Sequence, residues 1–307
     1  MPTVLGPLLV AATGLLAILL LNPTSEGRVP VLAPQLQEEA TVIFAGDAFF
    51  DRSIRTTMEE KGGDFIFSCI ENMLSSADIA VVNLEGPITD NVSVSVGSAV
   101  GSPDNFRFTF SPEVAGLLYR NNIKLVNLGN NHITNFGEGG VETTLRYLKL
   151  AGVEYFGEPW SYSVAYKTIN NIPLAFIGYN EFGGDSWTTI SNIKTASALG
   201  YLPIVYAHWG AEYETDAPLY IEKLAKEFVD AGARLIIGSH PHVVEESEIY
   251  NGVPIYYSLG NFIFDQYFSE EVRKGLLVKI TFTKGGVIQM EEFETYLERD
   301  RRTCLAL

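Results

Sequence analysis

The chain has 307 residues, a length that suits one large domain or two small ones. Its hydrophobic share of 47% fits a globular protein with a sizeable core, while 21 basic against 37 acidic residues give a net charge of −16. That balance argues against nucleic acid or anionic lipid as a partner, since both need positive surface, yet an anionic substrate stays open if a metal supplies local positive charge.

Residues 4–21 form an uncharged apolar run. As a helix it would extend about 27 Å, close to the hydrocarbon thickness of a bilayer. Its length and the missing basic n-region distinguish it from an ordinary signal peptide, and its terminal position before a Pro-containing stretch argues against a buried core helix. We therefore expect residues 1–22 to be a single-pass anchor in the cell membrane with the rest of the chain extracytoplasmic. Secretion after cleavage near Val31-Leu32-Ala33 is the alternative, and Arg28 gives the positive-inside rule little to work with. Residues 23–40, with Pro23, Pro30 and Pro34, read as a tether.

From residue 41 onward strands and helices alternate. TVIFAGD (41–47) predicts a buried strand, FIFSCIENML (65–74) a helix and DIAVVNLEG (78–86) a strand. A Ser-, Val-, Gly- and Asn-rich stretch at 87–105 predicts a long loop over a site. Helix at 113–122, strand at 123–132 and helix at 138–152 follow, the last stopped by Gly152. Strands are expected at 172–180, 202–210, 233–242 and 253–262, an amphipathic helix at 217–232, and a hairpin within 274–294. The alternation points to an α/β core with parallel pairing, occupying 41–300. Cys69 and Cys304 show no metal-binding or disulfide-framework spacing, so we expect two unpaired thiols, with a single bridge between them as the alternative. The terminal Cys304-Leu305-Ala306-Leu307 formally fits a prenylation box, but it conflicts with an export signal and reads as coincidence.

The polar motifs all fall where predicted strands end beside glycine: Gly46-Asp47, Asn83-Leu84-Glu85-Gly86, Gly129-Asn130-Asn131-His132, His208-Trp209-Gly210, Gly238-Ser239-His240-Pro241-His242 and Ser258-Leu259-Gly260-Asn261. Ligands of open α/β sheets gather at the carboxyl ends of strands, so these motifs are mutually consistent. Every histidine of the chain lies in this set. Imidazole with carboxylate suits a divalent ion such as Mn, Zn or Fe, and the lack of clustered thiolates disfavours a structural zinc site. His240 and His242 would face opposite ways within a strand. Beyond the strand end, with Pro241 between them, both reach one centre.

The series GDAFFDR, NLEGPIT, GNNHITNFG, AHWGAEYE, GSHPHVV and YSLGNFIFDQ resembles the CapA (PgsA) family of bacterial capsule-synthesis proteins, associated with poly-γ-glutamate. That family is similar in fold to calcineurin-like metallophosphoesterases. The resemblance implies a four-layer α/β/β/α sandwich with one or two metals at the strand ends. It implies Asp47, Glu85, Asn131, His208, His240 and His242 as metal ligands, His132 facing the substrate, and Arg52 binding negative charge. Asn261 and Asp265 would support the ligands. Phe49 stands where a phosphoesterase has a further histidine, which leaves one metal or two open.

Three functions follow as expectations. The chain is a membrane-tethered component of poly-γ-glutamate synthesis or export, in contact with an anionic polymer and a membrane-bound synthase complex. Alternatively it is an extracytoplasmic metal-dependent hydrolase of phosphoesters or γ-glutamyl amides, or a polymer-binding module without catalysis. In the hydrolytic case two metals about 3.5–4 Å apart would activate water for in-line displacement.

Overall fold

Residues 38–306 are described by a computed structural model of the chain. The expected anchor and most of the expected tether therefore lie outside the described residues. Among the described residues no helix is long and apolar enough to cross a membrane.

The first half of the fold contains strand β1 (Ala40–Ala48), helices α1 (Arg52–Lys61), α2 (Asp64–Phe67) and α3 (Glu71–Leu74), β2 (Ile79–Leu84), α4 (Glu113–Arg120), β3 (Ile123–Asn127), α5 (Gly137–Ala151) and β4 (Glu154–Phe156). The second half contains β5 (Val164–Ile169), β6 (Ile172–Asn180), α6 (Ser186–Ala198), β7 (Leu202–His208), α7 (Leu219–Ala231), β8 (Leu235–Ser239), β9 (Ser247–Tyr250) and β10 (Val253–Tyr256). The chain then returns to the first half through β11 (Asn261–Ile263), β12 (Lys274–Thr283), β13 (Gly286–Leu297) and β14 (Thr303–Leu305).

Two sheets result. One has the order β14-β13-β12-β1-β2-β3-β4, with β11 also pairing β1; the other runs β5-β6-β7-β8-β10-β9. The central strands β1 to β4 are parallel to one another, as are β6, β7, β8 and β10. Antiparallel strands close both sheets at their margins.

Strand alternation explains the layers. In β1, Val42 and Phe44 point to the opposite face from Ile43 and Ala45. The first pair packs between the sheets with Val81, Phe176, Ile204 and Ile237. The second pair packs outward against Ile54, Val114, Leu118 and Leu148 of the helices. On the other sheet, Ala175, Ile177 and Val205 face outward onto Ile193, Ala225 and Phe228. These three apolar seams make the four-layer helix–sheet–sheet–helix sandwich that the resemblance implied.

The expected elements at 41–47, 172–180 and 217–232 and the 274–294 hairpin form close to their expected bounds. The stretch at 65–74 departs from expectation: it breaks into the separate turns α2 and α3. The cysteine expectation is overturned. Cys69 and Cys304 form a disulfide across a separation of 235 residues, with Cα atoms 4.8 Å apart. Pairing at that distance is set by the tertiary fold, which carries β14 back against α2, and no local spacing encodes it.

Candidate metal centre

The parallel strands aim their carboxyl ends at one place. Asp47 in β1 lies in register with Asn83 in β2, and Asn83 with Asn127 in β3. His208 ends β7 in register with Ser239 at the end of β8. The sheets are joined here by the buried Tyr206 hydroxyl, which donates to Ala45 O. Three of the expected ligands thus come from the first sheet or its following loops (Asp47, Glu85, Asn131), and three from the second (His208, His240, His242).

Of these six, Asp47, Glu85 and His208 converge tightly. All are fully buried, and one ligand atom of each lies within 4.8 Å of the others. Their protonation is legible from the hydrogen bonds. Asn83 accepts at Oδ1 from Asn127 Nδ2 at 3.1 Å and Asn130 Nδ2 at 3.0 Å, which turns its amide nitrogen toward the acids. The two amide hydrogens go to Asp47 Oδ1, 2.7 Å away, and to Glu85 Oε2. None is left for His208. Ser239 Oγ donates to Ala207 O, so it accepts from His208 Nδ1–H at 3.1 Å.

That tautomer leaves the Nε2 of His208 as a lone pair. It faces Asn131 Oδ1 at 2.9 Å and Glu85 Oε1 at 3.6 Å. With Glu85 ionised, three acceptors meet here with no hydrogen between them, and Glu85 Oε1 is buried without any partner. A buried acceptor without a donor is costly, and a cation at this point would satisfy all three. The donor set of carboxylate, amide oxygen and imidazole suits a divalent ion.

His240 and His242 lie beyond the end of β8, as the spacing suggested. Both adopt left-handed backbone, φ 101° and 60°, which is uncommon for side chains with a Cβ and concentrates strain at this corner. His242 Nδ1 faces Asp47 Oδ2 at 3.2 Å and Asn261 Oδ1 at 3.0 Å, both acceptors, so it carries the hydrogen and Nε2 is the free nitrogen. The backbone N–H of His240 donates to Asp47 Oδ2 at 3.2 Å, and its Nδ1 is buried without a partner. The ring of His240 lies 4.7 Å from that of His208 and 4.4 Å from Phe182.

Electrostatics match a centre built around positive charge. Burial acts to raise the Asp47 carboxyl, but the hydrogen bonds from His242 and Asn83 lower it below the ordinary carboxylate range. Burial and the neighbouring Asp47 push Glu85 well above the usual carboxylate range. Burial lowers His208 well below its ordinary value, with His240 adding to the shift, and burial with His242 brings His240 down to about 4. Neutral imidazoles are the form that binds metals.

His132 sits at the mouth of the cluster, Nε2 4.0 Å from Glu85 Oε1, its Nδ1 3.2 Å from Asn135 Oδ1 and its ring 4.2 Å from Phe108. Burial lowers it to about 4. Arg52 does not stand free in the cleft. Its guanidinium donates to Asp265 Oδ1 at 2.5 and 3.1 Å and lies over the rings of Phe49, Phe108 and Phe264. Phe49 itself is fully buried in that aromatic cluster, stacked 4.6 Å from Phe264. Sequence reasoning gave no role to Asn83, Asn127 and Ser239, although two of these stand inside the strand-end motifs it singled out.

Fold and site define a two-sheet α/β sandwich with a carboxylate, amide and imidazole centre at the seam between the sheets. The family described as "Bacterial capsule synthesis protein PGA_cap" matches residues 41–266, and the chain belongs to that family. It is 29% identical over 268 residues to the PGA biosynthesis protein CapA of Bacillus subtilis (strain 168), covering 81% of this chain and 69% of that protein. It is 28% identical over 278 residues to the capsule biosynthesis protein CapA of Bacillus anthracis, covering 82% and 67%. A solved structure, TT1561 of Thermus thermophilus, superposes with a TM-score of 0.45 at 12% identity, covering 82% of this chain and 97% of that one.

Proposed function

We propose that the protein is a CapA-like component of poly-γ-glutamate synthesis or export whose seam centre binds one or two divalent ions, Mn, Zn or Fe, and works by hydrolysis. The observation that carries the metal reading is the meeting of His208 Nε2, Asn131 Oδ1 and Glu85 Oε1, the last buried without a partner. The capsule reading rests on the family and on its Bacillus relatives, a PGA biosynthesis protein and a capsule biosynthesis protein.

Asp47, Glu85, Asn131, His208, His240 and His242 would hold the ions. When bound, they would supply Lewis-acid polarisation and an activated water. His132, at the mouth and deprotonated at neutral pH, would receive or return a proton at Nε2 near the leaving group. Arg52, held by Asp265, would present its remaining N–H groups to an anionic substrate. We assign the domain to the outer side of the cell membrane, tethered by residues 1–22. The Cys69–Cys304 disulfide supports an oxidising compartment.

Metal analysis of chain purified without chelator, followed by titration, tests the centre. We expect binding of Mn, Zn or Fe, and a loss of affinity of at least about 100-fold in His208→Ala. A wild-type chain that takes up no metal removes the basis of the proposal. With metal bound, a γ-glutamyl substrate and a phosphodiester should each be tried on wild type and His240→Ala. Equal residual rates in the two proteins would favour a polymer-binding module over an enzyme.

A further inference from the structure

A chain of contacts runs from the C-terminus to the wall of the metal cleft, and none of its outer members belongs to the centre. The disulfide fixes β14, a three-residue edge strand, against the turn between α2 and α3. Three residues before Cys304, Arg301 holds φ 82°, a left-handed conformation that persists in an arginine only when its surroundings impose it. Its surroundings are specific. The Arg301 N–H donates to Glu298 O at 2.9 Å, its guanidinium lies 4.8 Å over Tyr267, and its Nε donates to Ser53 Oγ at 2.8 Å.

Ser53 passes the restraint inward. Its hydroxyl and backbone N–H donate to Asp265 Oδ2 at 3.0 and 3.2 Å, while Oδ1 of the same carboxylate clasps Arg52. Arg52 Nη1 donates to Asn105 O at 3.4 Å and its guanidinium lies 5.2 Å over Phe108. Asn105 and Phe108 belong to the loop between β2 and α4, and Phe108 packs on His132. Arg52, Asn105 and Asp265 also line a cavity of about 420 Å³, walled by Phe106, Tyr213 and Phe268, and Tyr213 lies 6.0 Å from His242.

We propose that residues 298–305 act as a redox-sensitive strap, in which the Cys69–Cys304 disulfide holds Arg301 against Ser53 and thereby fixes the Arg52 wall of the cleft. Arg301, Ser53 and Asp265 are positioning residues. A dithiol supplies two electrons and two protons, the S–S bond breaks to two thiols, and the dithiol closes to its own disulfide. The short edge strand is then released from α2, Arg301 relaxes out of its left-handed backbone, and the Ser53 contact is lost.

Amide hydrogen exchange on the full chain, oxidised and after dithiothreitol, tests it. We expect reduction to raise exchange about tenfold both in 298–306 and in the loop at 98–108. Arg301→Ala, with the disulfide intact, and Ser53→Ala should raise exchange at 98–108 without altering β6 and β7. Loosening confined to 298–306, or an unchanged loop in both variants, would overturn the strap. Global unfolding on reduction would also overturn it, since the disulfide would then hold the fold as a whole and not the strap.

Discussion

Asn83 shows how much of the centre depends on a residue that binds nothing itself. Asp47 and Glu85 are buried together, and like charges at that distance repel strongly. The amide of Asn83 bridges them, and Asn127 and Asn130 prevent it from flipping. Replacing Asn83 by Ala removes the bridge and leaves the Asn127 and Asn130 amides with Gly129 O and Leu84 O as their remaining acceptors. Metal affinity should fall about 10–100-fold, as for other residues that orient ligands. An unchanged titration curve would show that Asp47 and Glu85 hold their places unaided. A second buried acid, Glu245, lies outside the centre, its Oε1 without a partner. Burial, with Asp216 nearby, raises it to about 8 from an ordinary 4.5. Between those values the folded chain holds a proton that the unfolded chain has released, so stability falls as pH rises through the window. Glu245→Gln should therefore raise the melting temperature by about 2–4 °C at pH 9 and leave it unchanged near pH 4. An equal gain at both values would point to packing and not to charge. The carboxylates and histidines of the centre were legible in the sequence because they sit beside glycine at strand ends. Asn83 was not, since an asparagine two residues before a glutamate carries no pattern that separates a bridge from a turn.

At the scale of elements, β1 is the strand on which the site depends. It pairs with β2, β11 and β12, and the residue leading into β11 approaches so closely at Gly46 that an added Cβ would lie 1.8 Å from Gly260 O. The same approach supplies the bond from Asp47 N–H to Gly260 O at 3.1 Å. Gly46→Ala must push β11 away, and a cost of at least about 3 kcal/mol is expected, read as a lowered denaturation midpoint. A variant of native stability would mean that β11 can move without disturbing β1. The strongly apolar strands and the amphipathic α7 were readable from periodicity. Helix α1 was not, because RSIRTTMEEK buries only Ile54, Thr57 and Met58 and is otherwise polar. The short strands β4, β11 and β14, three residues each, are too brief to carry any periodicity.

Over the whole molecule, the alternation of strands and helices gave the α/β class, but not the division into two sheets. That division depends on the return of β11 to β14 to the first sheet after the second is complete, a long-range pairing with no local signature. The disulfide is unreadable for the same reason: Cys69 and Cys304 meet only once β14 has joined β13. The same topology bears on how the centre comes to hold an ion. Asp47 is made early and His242 nearly two hundred residues later, and the first and second sheets each supply only half of the donors. Neither half alone brings the candidate donors together, so a cation would be loaded only after the chain has closed on itself. If the centre binds metal as proposed, the ion it captures would be drawn from those present once both sheets have formed.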